Sequence, residues 1–104
     1  MLFRFVKDNA ESLNERAWMI VQMSQQGVNV SKELVVVATE AAEQGVKLEP
    51  TNGAILDTLA HLYDMQGLTD KAIETQKKAL ENPGQFEEDM KTFLKELEEK
   101  KGGK

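Results

Sequence analysis

The grouping in this 104-residue chain that most resembles chemistry is Asp57, His61 and Asp64, spaced i, i+4 and i+7. On a helix all three project from one side. Imidazole and carboxylate are suitable ligands for a divalent cation, but three neighbours along one helix are spread too far to close a coordination shell, so no metal is expected. Two carboxylates can share acid and base roles when their surroundings push their pKa values apart. Nothing in the sequence supplies apolar burial beside Asp57 or Asp64. The chain has one histidine, no cysteine, no glycine-rich phosphate loop behind a strand, and no nucleophile paired with a base, so neither an enzyme nor a cofactor is expected. Two readings of the triad stay open: a ligand-binding face, with Met65 as an adaptable apolar neighbour, or an ordinary solvated helix face.

Two further groups bear on contact. Trp18 lies in the apolar run Ala17–Trp18–Met19–Ile20, which favours packing in a core or interface over service as a stacking platform. Phe3, Phe5 and Val6 place bulky apolar groups just behind Met1, as at a domain junction or an assembly surface.

The elements that carry these residues read as helices. Ser12–Leu13–Asn14–Glu15 has the form of a capping box and predicts a helix from Ser12, mostly buried, that fades at Gln25–Gln26–Gly27. Ser31 is the expected cap of a second helix ending near Leu48, before Pro50, with Leu34, Val35, Ala38, Ala41, Ala42 and Val46 on its inner side. Val35–Val36–Val37 favours a strand locally, but the alanine-rich continuation and both caps favour helix. Asn52 is the expected cap of a third helix, ending at Gln66–Gly67, and Thr69 of a fourth, stopped by Asn82–Pro83–Gly84. Phe86, Met90, Phe93, Leu94 and Leu97 form one apolar stripe on a fifth, amphipathic helix.

The fold class is therefore all-α. Apolar residues make up 40% and charged residues 30% of the chain, enough to build one core over residues 1–104 and too little chain for two. The net charge is -5, and glutamates interleave with the lysines near the C-terminus, so no nucleic-acid partner is expected. The apolar start is too short for a membrane span. An abrupt apolar start is also what a segment cut from a longer protein would show. The compartment stays open between the cytoplasm and, with a signal upstream, a periplasmic or exported location.

A period of 34 residues relates the second helix to the fourth: Ala38 to Ala72, Glu40 to Glu74, Gly45 to Ala79 and Val46 to Leu80. Leu56, Leu59, Ala60, Tyr63, Gly67, Ala72, Ala79 and Pro83 resemble, in that order, the tetratricopeptide (TPR) repeat. Pro83 falls one place early, and Gln76 stands where that family usually has an aromatic residue. The resemblance implies a right-handed stack of antiparallel helix pairs: an atypical repeat at about 13–50, in which Arg16 replaces a large apolar residue, a typical one at about 53–83, and a closing helix at about 85–100. More weakly, Asn14–Glu15–Arg16–Ala17–Trp18, Leu48–Glu49–Pro50 and Leu56–Asp57–Thr58–Leu59–Ala60 resemble C-terminal helical extensions of bacterial thioredoxin-like proteins, which would imply an accessory role.

In a TPR the side of the third helix bearing Asp57, His61 and Asp64 resembles the concave ligand face. Its acidity suits a basic or apolar peptide better than an acidic C-terminus. Two functions follow as expectations: a non-catalytic protein- or peptide-binding module, or a structural accessory that dimerises or docks to an upstream domain, for example a thioredoxin-like one.

Overall fold

The computed structural model describes residues 9–102. Phe3, Phe5 and Val6 lie outside them. The described residues fold into five helices, α1 (Ala10–Gln25), α2 (Lys32–Leu48), α3 (Gly53–Met65), α4 (Thr69–Ala79) and α5 (Glu87–Gly102), with a single 3-10 turn, Gly84–Phe86, leading into α5. None of these helices is long and apolar enough to cross a membrane.

Capping chemistry sets the boundaries. The Ser31 hydroxyl accepts from the Leu34 amide at 3.1 Å, and Asn52 Oδ1 accepts from Ala54 and Ile55, as anticipated from their residue types. Two expected starts move. The first helix begins at Ala10, because Asn9 Oδ1 takes the Ser12 amide at 2.8 Å; that start folds Ala10 and Leu13 into the buried side, which a start at Ser12 would leave partly outside the helix. The fourth begins behind Leu68, with no side-chain cap, so Thr69 is its first residue.

Helices α1 and α3 end alike. Val28 N–H donates to Met23 O and Gly27 N–H to Ser24 O; forty residues on, Leu68 N–H donates to Tyr63 O and Gly67 N–H to Asp64 O. Both are Schellman closures, and each needs a left-handed residue, supplied by Gly27 at φ 90° and Gly67 at φ 78°.

Helices α1 and α2 pack together, α3 and α4 pack together, and α3 also lies against both α1 and α2. Ala17, Val21, Val35, Ala38, Ala42, Leu59 and Leu62 form the main core; Leu56, Ala79 and Met90 form a second one where α5 joins. The residues related by the 34-residue period are buried in equivalent ways: Ala38 with Ala72, Gly45 with Ala79. At Gly45 an added Cβ would stand 3.2 Å from Ile55 Cγ2, so the glycine sets how closely α2 and α3 approach. Tyr63 donates to Glu43 Oε2 at 2.8 Å and ties the same two helices; burial and the adjacent carboxylate push its phenol up to about 12.

Three apolar expectations are corrected. Met19 on α1 is 55% exposed, Leu34 on α2 is 39% exposed, and Phe86, at the head of the closing stripe, is 47% exposed. Of the valine triplet only Val35 is buried. The helix turns Val36 and Val37 outward because its inner arc is filled by Val35, Ala38, Thr39, Ala42 and Gly45.

Gly53 has no conformational need for glycine, yet a Cβ there would lie 2.0 Å from Asn82 O and 2.7 Å from Ala79 O. Backbone cannot swing aside as a side chain can, so Gly53→Ala forces α3 away from the α4–α5 connection. The expected loss is about 2 kcal/mol or more in urea unfolding, against about 1 kcal/mol for Gly67→Ala, which meets only backbone strain.

Candidate functional site: a groove across three helices

The i, i+4, i+7 spacing places Asp57, His61 and Asp64 on one side of α3, and that side faces α5 and α1. The His61 ring is stacked on Phe93 of α5 with centroids 3.7 Å apart and planes 7° from parallel. Trp18 of α1 meets it edge-on at 5.4 Å and 87°. His61 Nδ1 lies 2.9 Å from the Asp57 backbone oxygen. With both neighbours in contact, the His61 side chain is only 17% exposed. Asp64 lies further along, where Lys100 Nζ reaches its Oδ1 at 2.6 Å; Lys101 reaches Asp70 at 2.7 Å. Such exposed pairs are worth little energetically, but both hold the end of α5 against the α3–α4 pair.

The polar fastening of α5 is Gln76 on α4, which is fully buried. Its Nε2 donates to Asp57 Oδ1 at 2.8 Å and to the Met90 carbonyl at 3.1 Å. One amide thus links α3, α4 and α5. An aromatic ring at this position could not satisfy the Met90 carbonyl or Asp57. Gln76 Oε1 is buried without a hydrogen-bond partner, a cost of about 1–3 kcal/mol.

Beside this fastening is an open groove of about 280 Å³, walled by Asn14 and Trp18 of α1, Asp57 of α3, Phe86 of the 3-10 turn and Asp89 of α5. Asn14 Oδ1 is also buried and unpartnered. Asp57 is held above its ordinary 3.8, chiefly by burial; His61 and the Gln76 hydrogen bond oppose the shift and Asp89 adds to it. The sequence suggested no apolar burial at Asp57. Packing supplies it, through the Trp18 and α5 contacts that close over α3. Lys91, two residues beyond Asp89 on α5, pairs with Glu87 at 3.1 Å.

Of the residues singled out from sequence, Asp57 and Trp18 wall this groove, while His61 is packed outside it against Phe93 and Trp18 and Asp64 forms an ion pair with α5. Met65 lies apart. It lines a different depression with Val28, Val30 and Val36, at the α1–α2 end of the molecule. Phe86 and Asp89 were not singled out. Phe86 was assigned to the closing stripe and Asp89 lies one residue from Met90, so only their place at the entry of α5 marks them.

A carboxyl with a raised folded-state pKa binds protons more tightly folded than unfolded. Asp57 therefore opposes stability as pH rises above the ordinary carboxylate range, and the opposition vanishes below pH 3.8. Asp57→Asn keeps an acceptor for Gln76 and removes the buried charge. It is expected to raise the melting temperature near pH 7, with the difference from the parent shrinking as pH falls to 3.8; an equal melting temperature at pH 7 contradicts the account.

No protein-family model, curated protein or solved structure matches this chain.

Proposed function

We propose that this chain is a non-catalytic interaction module that binds a basic, extended peptide segment in the groove between α1, α3 and α5. The observation that carries the reading is the composition of that groove: two carboxylates, Asp57 and Asp89, set between the aromatic walls of Trp18 and Phe86. A lysine or arginine side chain suits it, because its stem lies against the rings while its charge meets the carboxylates, and a cation over an aromatic face gains a further attraction. The half-buried position of Asp57 weakens solvent screening there.

The architecture we propose for the module is a TPR-like, right-handed stack with α1–α2 and α3–α4 as its units and α5 as the closing helix. The equivalent burial of Ala38 and Ala72 and of Gly45 and Ala79 supports it, as does the contact of α3 with both helices of the preceding pair. His61 supports a binding role over catalysis: its ring is stacked, and Nδ1 lies against the Asp57 carbonyl. An accessory role beside another domain is the second reading, supported by the exposed Leu34, Val37 and Leu48 of α2.

Trp18 is the only tryptophan and serves as the reporter. Titration with a capped peptide alternating arginine and glycine is expected to change its fluorescence saturably, and the glutamate–glycine peptide is expected to have no effect. Asp89→Lys should weaken binding at least about tenfold, since it reverses one of two charges in contact with the ligand, and leave the far-UV circular dichroism unchanged. Equal response to both peptides, or an unaffected Asp89→Lys protein, overturns the proposal.

A further inference from the structure

The outer side of α2 carries a second pattern. Leu34, Val37, Ala41, Gln44 and Leu48 are spaced 3, 4, 3 and 4, the seam of a coiled coil. The arc packed into the core, through Val35, Ala38, Thr39, Ala42 and Gly45, is centred roughly 110° further round the same helix. The seam is open: Leu34 is 39%, Val37 59% and Leu48 49% exposed, with Gln44 exposed and Ala41 half-buried between them. Along one edge run Glu33, Glu40 and Lys47, seven residues apart and all exposed.

We propose that this face pairs with a second copy of the chain, α2 antiparallel to α2 about a two-fold axis near Ala41. Charge decides both the partner and the direction. In a parallel pair this charged edge would face the other flank of the partner helix, Ser31, Ala38 and Gly45, which offers its charges no partner. In the antiparallel pair, Glu33 of each copy meets Lys47 of the other, twice by symmetry, and the single like-charge contact is Glu40 with Glu40 beside the axis. The same register sets Leu34 against Leu48 and Val37 beside Gln44, and brings small Ala41 to the crossing, where it lets the helices approach closely. One register satisfying both the apolar ends and the charged edge is the self-complementarity that an isologous interface demands.

No α2 residue walls the groove between α1, α3 and α5, so pairing leaves two grooves free. A dimer would then engage a peptide carrying two basic segments with increased avidity. Self-association itself does not depend on what the groove binds.

The test is sedimentation equilibrium of the full chain over a concentration series, with circular dichroism confirming that every variant is helical. The parent is expected to show a monomer–dimer equilibrium. Val37→Lys, which places a charge on an exposed seam position, should weaken it at least about tenfold. Glu40→Gln should strengthen it about twofold or more by removing the contact at the axis. Glu33→Lys should weaken it, and adding Lys47→Glu to that variant should restore it, since the swapped charges again oppose. A parent that stays monomeric at every concentration overturns the proposal. So does a dimer indifferent to Val37→Lys, or one that the double charge swap fails to restore.

Discussion

The buried Gln76 amide is the constraint on which the groove depends. Its two N–H groups are spent on Asp57 of α3 and on the Met90 carbonyl of α5. Both partners are acceptors while Asp57 is ionised, which determines the amide's orientation: turned over, it would face Asp57 and Met90 with an oxygen. Hydrophobic contact between α4 and α5 has no such direction, and a helix held by Met90 and Leu97 alone could slide or rotate at small cost. The amide sets the register. With Met90 located, Phe93 falls one turn on over His61, and Lys100 and Lys101 fall beside Asp64 and Asp70. The orphaned Gln76 Oε1 is the local cost of this specificity.

Two surfaces of the molecule follow different physical rules. The groove sets charge among largely apolar walls, and Asp57 is held above its ordinary value there, chiefly by burial and to a smaller extent by the Asp89 carboxylate. A fold optimised only for stability would have no reason to keep both, since burial and the second carboxylate each disfavour the charged form of Asp57. The outer face of α2 is the reverse, apolar along its middle and charged along one edge. Exposed valines and leucines scattered singly are ordinary; five positions in a coiled-coil spacing on one helix are an organised surface.

Local chemistry was legible in the sequence because it acts over a few residues. Ser31 and Asn52 cap their helices, Gly27 and Gly67 close theirs, and Pro50 and Pro83 follow the ends they were expected to mark. Competition between two local signals was harder to read. Asn9 prevails over the Ser12–Glu15 box because the longer helix buries Ala10 and Leu13, a tertiary gain that no capping rule contains. Direction was harder still. Periodicity assigns Leu34 and Val37 an angle on α2, but α2 is apolar over a wide arc, and which part of it meets the core depends on where α1 and α3 stand. The burial of Asp57 was least accessible, since it arises from α5, some thirty residues away, returning across α3.

That return couples the groove to the closing helix. Docking α5 brings Asp89 toward Asp57 and adds to the rise in its pKa, so the attachment that builds the groove also works against itself electrostatically. The Gln76 hydrogen bonds, the Phe93–His61 stack and the burial of Met90 and Leu97 must exceed that repulsion. A cation bound between the two carboxylates removes it. Such a ligand interacts with the docked arrangement and loses half of its site when α5 departs, because Phe86 and Asp89 leave with that helix. By linkage, occupancy of the groove and docking of α5 stabilise one another to the same extent. On the proposed reading, the carboxylate pair is a source of affinity and also the means by which a bound peptide would tighten the fold around itself.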